Sequence, residues 1–486
     1  MAEQDTRPSR FGLIFAAILL LGLGLRLYSL NGESVSYDES FSMVTCRMPT
    51  NEMLRQLVAD FVHPPLHYFV LCGWLDVVGF GVLQARLLSV IFGTLSIVVL
   101  YLLADYLFDR RTALISSLLL AVSQLEIMFS QDGRMYALFL FLFLCCCYLF
   151  IRALRARSFP LWCGFIGLSV LLIYTHYYGM LVLGALVVFA FLYRRQFSVP
   201  LSWWIGGAAT VILAYVPWLT SGVVQAATHS GKTFSGGHPW WSVHWYTFIT
   251  AINFFNNGKA AGLLTSAPLW TYPIGGLLFS SPAVLAFFLS PERRDRQHFW
   301  LSAMLWILPI LGALAGGLMN LQYDVRYVAF CAAPYYILVG RGISAIPRDA
   351  VRISMIVLML GYTANSLRAN YFVPRREDFR GAAAYIQQHG RPGDCAVFLP
   401  RLRVPIQWTV EYPDGAWLRN LDASNYAEGK TSCDRLWAIS WYSGGNELHV
   451  AQAKAEEERL EKSHTRVDSQ HYTWVDVALF TRKLPQ

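Results

Sequence analysis

Long apolar runs separated by short polar stretches make up most of the chain. They fall at 11–30, 87–108, 112–129, 135–151, 160–176, 177–193, 201–219, 269–289, 299–318, 327–346 and 352–369. Most approach the ~20 residues that a helix needs to cross hydrocarbon, so about eleven transmembrane helices are predicted. One further stretch, "LHYFVLCGWLDVVGFGVL" from Leu66, is apolar but holds His67, Asp76 and several glycines. The pattern changes after residue 370. Helix-like "REDFRGAAAYIQQHG" precedes strand-like "DCAVFLP". Strand-like "RLWAIS", helical "NELHVAQAKAEEERLEKS" and strand-like "TWVDVALF" follow. Helix alternating with strand predicts a small α/β domain over 371–486.

Composition agrees with a polytopic membrane protein. Of 486 residues, 55% are hydrophobic and 14% charged, with a mean hydropathy of +0.40. Soluble domains carry ~25% charged residues. The net charge of +8 does not indicate a nucleic-acid partner, because basic residues collect in short loops, as they do on the inner side of membranes. Without a span at 66–83, the inner segments are the N-terminus with Arg7 and Arg10, Asp109–Arg111, Arg152–Arg157, Arg194–Arg195, Pro291–His298 and Arg341–Arg352. A span there would turn most of these clusters outward. Residues 66–83 therefore read as a helix lying at the outer interface. The membrane domain is then 1–370, with outer loops 31–86 and 220–268, an inner N-terminus and an outer tail. The first run lacks a small-x-small cleavage site and reads as an uncleaved span. Consecutive Cys145, Cys146 and Cys147 cannot share one helix face and read as small core residues. Cys395 and Cys433 open two tail strands; outside the membrane they can bridge if their Cα atoms lie close enough.

This topology gathers candidate chemistry on one face. Asp38 and Glu39 follow the first span. His63 opens "HPPL", and Arg86 begins the second span. "SQDGRMY" supplies Asp132, Arg134 and Tyr136; "YTHYYG" supplies His176; "YDVRY" supplies Arg326 and Tyr327. A single arginine at a span's end can simply reach lipid headgroups. Several arginines with acids on one face suit a different task. Arginines hold a phosphate by forked contacts, and a carboxylate takes the proton of an attacking hydroxyl. His63 either caps a turn before Pro64 and Pro65 or faces a phosphate; His176 has the same two readings, the structural one being favoured.

"YDES", "HPPLHYFVLCGW", "ARLLSVIFGTLSIVVLYLLADYLF" and "SQDGRMYALFLFL" together resemble the GT-C membrane glycosyltransferases. The similarity is to family 39, with the protein O-mannosyltransferases and the lipid A aminoarabinose transferases as relatives. It is dense over roughly residues 11–190 and thinner at "DVRYVAFCAAPYYILVGRGI" and "REDFRGAAAYIQQHGRPGD". The resemblance implies a GT-C fold and an inverting transfer from a polyprenyl-phosphate-linked sugar to a hydroxyl of a lipid, glycan or protein. It implies the outer face of a bacterial inner membrane as the place. Asp38 would be the general base or orient the acceptor, and Glu39 would bind acceptor or support the loop. Asp132 would be the second-loop acid, in "SQDGR" where the commoner pattern is "SQEAR". Arg134 and Arg326, with Arg86 behind them, would hold the phosphate. No metal or other cofactor is required, although Asp38, Glu39 and Asp132 include enough carboxylates to hold a divalent ion. The alternative is a lipid or solute transporter or flippase, for which repeat symmetry and mid-span polar residues are expected.

Overall fold

A computed structural model describes residues 10–228, 255, 271–318 and 325–483, apart from 61, 198, 290–291, 401–403, 414–417, 421–432 and 443–446. Most of the predicted loop 220–268 lies outside these residues. The chain divides into two compact units: residues 1–28 with 49–372, and residues 29–48 with 373–486.

The first unit is helical. Its helices are α1 (Arg10–Leu27), α3 (Thr50–Asp60), α4 (Leu66–Val78), α5 (Val82–Leu107), α6 (Arg110–Val122), α7 (Gln124–Ser130), α8 (Tyr136–Ala156), α9 (Phe159–Thr175), α10 (Gly179–Leu192) and α11 (Leu201–Thr228). After these come α12 (Thr271–Phe288), α13 (Arg293–Leu318), a 3-10 turn (Val325–Cys331), α14 (Ala332–Ser344) and α15 (Asp349–Phe372). By length and composition, 6 of the described helices can each cross a membrane, or 7 if α6 and α7 form one span bent by 60°. Helices α9, α10 and α12 are apolar but shorter. The chain is thus a multi-pass membrane protein. Among the described residues, six to seven spans meet this criterion, against about eleven predicted. The shortfall falls on the short runs at 160–176, 177–193 and 269–289, and on 327–346, which splits into the 3-10 turn and α14.

Burial follows the all-round apolar character of the central helices. Every residue from Phe330 to Gly340 is buried. Helix α14 packs against α6, α12 and α13, and α8 lies between α5 and α9. At one end of the bundle Arg341 bonds Asp109 at 3.0 Å and also pairs with Asp295. Three of the basic-rich connections singled out by charge therefore meet there.

The second unit contains α2 (Tyr37–Thr45), α16 (Phe379–His389), α17 (Ile406–Glu411), α18 (Glu447–Ser463) and a five-stranded sheet. The strands are β1 (Cys395–Leu399), β2 (Arg419–Asn420), β3 (Arg435–Trp441), β4 (His464–Tyr472) and β5 (Val475–Arg482), in the order β2-β1-β3-β5-β4. β1 pairs parallel with β2 and β3, while β5 pairs antiparallel with β3 and β4. β1 is buried along its whole length, as a strand covered on both faces must be. Ala396 and Phe398 join Phe379, Ala382 and Ile386 of α16. Cys395, Val397 and Leu399 join Ala453 and Leu460 of α18 on the other face. Cys395 and Cys433 form a disulfide with their Cα atoms 6.1 Å apart.

Candidate active site

In the membrane unit, four segments far apart in sequence meet. His63 lies in the turn before α4, and its ring centroid is 5.3 Å from that of His176, which caps α9. The Tyr327 ring, from the 3-10 turn, is 5.1 Å from His176 and 6.0 Å from His63. The Arg326 guanidinium lies over the Tyr327 ring, 5.7 Å from its centroid. Tyr136, at the start of α8, is 6.5 Å from His176. A small cavity is lined by Tyr136, His176, Arg326 and Tyr327, with Glu126, Phe129, Phe139 and Phe330 completing most of its wall.

Local sequence explains the convergence. Pro64 and Pro65 cannot lie inside a continuing helix, and with Pro65 at the N-cap of α4, His63 is left in the turn before it. Between α7 and α8, residues 131–135 form the loop that carries Asp132 and Arg134. The Arg134 N–H donates to the Asp132 carbonyl at 2.7 Å, and Ser89 Oγ of α5 donates to the Arg134 carbonyl at 3.4 Å. Arg134 is buried and Asp132 half-buried. Arg86 is buried one turn before Ser89.

The electrostatics favour uncharged imidazoles beside cations. Burial, then the Arg134 charge, then His176 and Arg326, hold His63 well below the usual histidine range. Burial, then Arg134 and Arg326, push His176 down to about 3. Desolvation and like charge act together here. The His176 Nδ1 atom accepts from the Tyr178 N–H at 3.2 Å. His176 Nε2 and His63 Nδ1 have no hydrogen-bond partner among the described residues.

Two site residues escaped the sequence reading. Glu126 lines the cavity, is 4% exposed and interacts electrostatically with Arg26 of α1. An ionisable residue inside an apolar run is a functional candidate, and that was its signal. His67, the second residue of α4, is buried against Tyr68 and within the influence of Arg134.

Asp38 and Glu39 belong to the second unit, at the start of α2. Ser36 caps this helix, and its Oγ accepts from the Glu39 N–H at 3.2 Å. Glu39 Oε2 accepts from the Ser36 N–H at 3.0 Å, which closes a capping box. The same oxygen pairs with Arg376, and the carboxylate is 1% exposed. Glu39 is therefore engaged in holding its own loop. Neighbouring contacts do the same: Glu33 Oε2 bonds Arg375 at 2.8 Å, and Glu411 accepts from the Val35 N–H at 2.7 Å. Asp38 is half-buried, and its carbonyl accepts from Ser42 Oγ at 3.1 Å. Among the described residues, no group of three or more His, Cys, Asp or Glu side chains is arranged to hold a metal ion.

Residues 62–220 match the sequence family described as dolichyl-phosphate-mannose-protein mannosyltransferase. None of the curated proteins matches the chain. ArnT from Cupriavidus metallidurans in the apo state superposes with a TM-score of 0.60 at 14% identity, covering 96% of this chain and 97% of that one. ArnT bound to undecaprenyl phosphate gives 0.57 at 13% identity, with the same coverage. The archaeal oligosaccharyltransferase AglB from Archaeoglobus fulgidus, in complex with an inhibitory peptide and a dolichol-phosphate, gives 0.55 at 12% identity over 97% of this chain and 74% of that one. These structures are GT-C glycosyltransferases, and their fold is the fold of this chain.

Proposed function

We propose that this chain, with its GT-C fold, is an inverting membrane glycosyltransferase that uses a sugar carried on polyprenyl phosphate. The acceptor is a hydroxyl of a lipid, glycan or protein, and the reaction occurs on the outer face of a bacterial inner membrane. The acceptor oxygen attacks the anomeric carbon while the carbon–oxygen bond to the phosphate breaks. The acceptor's proton passes to Asp38, and polyprenyl phosphate leaves. Arg134 and Arg326 neutralise the phosphate by charge-assisted hydrogen bonds. Neutral His63 and His176 donate or accept without adding charge. Asp132 orients the loop or the acceptor, Arg86 backs the arginines, and Tyr136 and Tyr327 flank the donor.

The observation that carries this reading is the meeting of Tyr136, His176, Arg326 and Tyr327 around one cavity, with His63 packed against His176 and Tyr327 and Arg134 acting on both imidazoles. The similarity to structures holding undecaprenyl phosphate and a dolichol-phosphate supports the donor class. The arginines make a metal unnecessary, so chelation with EDTA is expected to leave transfer intact.

The test uses full-length protein in vesicles with a panel of undecaprenyl-phosphate sugars. Stoichiometric release of undecaprenyl phosphate with glycosylation of an envelope acceptor is expected. Movement of the lipid across the bilayer with its sugar still attached would replace this reading with a flippase.

A further inference from the structure

Arg26 is fully buried near the end of α1. Its Nη1 donates to the Gly22 carbonyl at 3.0 Å and the Ala121 carbonyl at 3.1 Å; its Nη2 donates to the Leu120 carbonyl at 3.3 Å. Its Nε donates to Ser130 Oγ at 3.0 Å. Leu120 and Ala121 lie in the last turn of α6, just before the break, and Ser130 is the last residue of α7, beyond it. The guanidinium thus grips both halves of the bent span. The break at Ser123 interrupts the regular i+4 bonding of the final α6 carbonyls; Leu120 keeps a bond from the Ser123 N–H at 3.4 Å. In hydrocarbon such groups must be satisfied from within the protein. A planar fork of donors does this from one side chain.

The grip continues into the loop. Gln131 Nε2 donates to the Arg26 carbonyl at 3.1 Å and the Tyr28 carbonyl at 2.8 Å. Asp132 and Arg134 follow within three residues. Helix α5 leaves no slack behind the clamp. A Cβ at Gly93 would collide with Ser130 Oγ and lie 3.2 Å from Arg26 Nε.

We propose that Arg26 is a positioning residue: it fixes the bend between α6 and α7 and so sets where the 131–135 loop presents Asp132 and Arg134. The assignment of those two residues to catalysis rests on the function proposed above; the clamp does not.

The test measures amide hydrogen exchange and transfer kinetics on the full chain in lipid discs. Arg26→Gln is expected to speed exchange across 123–135 by about tenfold or more, the worth of one charge-assisted hydrogen bond. The α8 and α14 amides should keep their protection. Ser130→Ala, which removes one acceptor and spares the charge, should give a smaller rise in the same segment. In transfer assays Arg26→Gln should lower kcat more than it raises the donor KM, with Arg26→Lys intermediate. Unchanged exchange in 123–135, or a rise shared by the whole bundle, overturns the proposal. If the wild-type protein transfers no sugar, the function reading fails, while the exchange pattern still decides the role of Arg26.

Discussion

The candidate site of the membrane unit and the sheet-bearing unit hold their buried ionisable groups in opposite ways. In the unit of residues 29–48 and 373–486, carboxylates are matched with arginines. Glu33 pairs with Arg375, Glu39 with Arg376, Glu411 with Arg380 and Asp394 with Arg435. In the membrane unit, His63 and His176 are buried beside cations, and each keeps a ring nitrogen with no partner among the described residues. Leaving a buried polar atom unsatisfied costs ~1–3 kcal/mol. A fold that bears this cost at two adjacent rings is keeping those atoms available. On the function proposed above, the matched pairs serve as scaffold, and the two imidazoles, packed against each other beside cations, are where a ligand would complete the bonding.

That distinction separates two neighbouring acids. If Asp38 is the base, Asp38→Asn should reduce transfer by about 10²- to 10⁴-fold. The loss of transfer should far exceed any loss of folded protein, because the cap of α2 belongs to Ser36 and Glu39. Transfer at the wild-type rate would remove Asp38 from the reaction.

Glu39→Gln should behave in reverse. The change leaves Arg376 facing a neutral amide in a site where the acid is 1% exposed. Breaking a buried pair from one side costs about 3 kcal/mol or more. The expected outcome is a lower midpoint in thermal unfolding and faster proteolysis around 29–48, with transfer lost only in proportion to unfolding. A Glu39→Gln protein that melts normally yet transfers nothing would place Glu39 in the chemistry and break the contrast.

The same contrast shows what could be read from sequence. The strands Cys395–Leu399, Arg435–Trp441 and Val475–Arg482 were visible because buried strands are continuous apolar runs between turn residues. β4 was not visible. "HTRVDSQHY" is mostly exposed, and its pairing with β5 makes it a strand. The run 112–129 read as one span, and its break at Ser123 carries neither Gly nor Pro to announce it. What secures the break is distant: Arg26 on its carbonyls and Tyr336 on Ser123 Oγ at 3.0 Å. Motif order brought His63, Arg134, His176 and Arg326 into consideration, but not their mutual distances. Glu39 looked like a partner of Asp38 because they are adjacent. Its actual partner, Arg376, lies 337 positions away. Charge pairing over such separations leaves no local pattern.

The histidines give the subtlest test. His176 is held down to about 3 in the folded protein by burial, Arg134 and Arg326, whereas an unfolded histidine titrates near 6.5. Above about pH 6.5 both states are neutral, and stability does not depend on this ring. As pH falls below that value the unfolded chain takes up a proton that the native site refuses, so stability is lost. For His176 the loss is about 1 kcal/mol by pH 5.5, and His63 adds a loss in the same direction. Unfolding temperatures measured from pH 8 to pH 5.5 should therefore fall in the wild type relative to His176→Gln below pH 6.5. The decline should be shallower in His176→Gln, which removes one titrating ring. It should also be shallower in Arg134→Gln, which lets both imidazoles accept protons more readily. A wild-type midpoint that does not fall relative to that of His176→Gln on acidification would mean that the ring is protonated in the folded state and matched by an acid. The membrane unit would then follow the same pairing rule as the sheet-bearing unit, and the unfilled ring nitrogens would no longer identify the site.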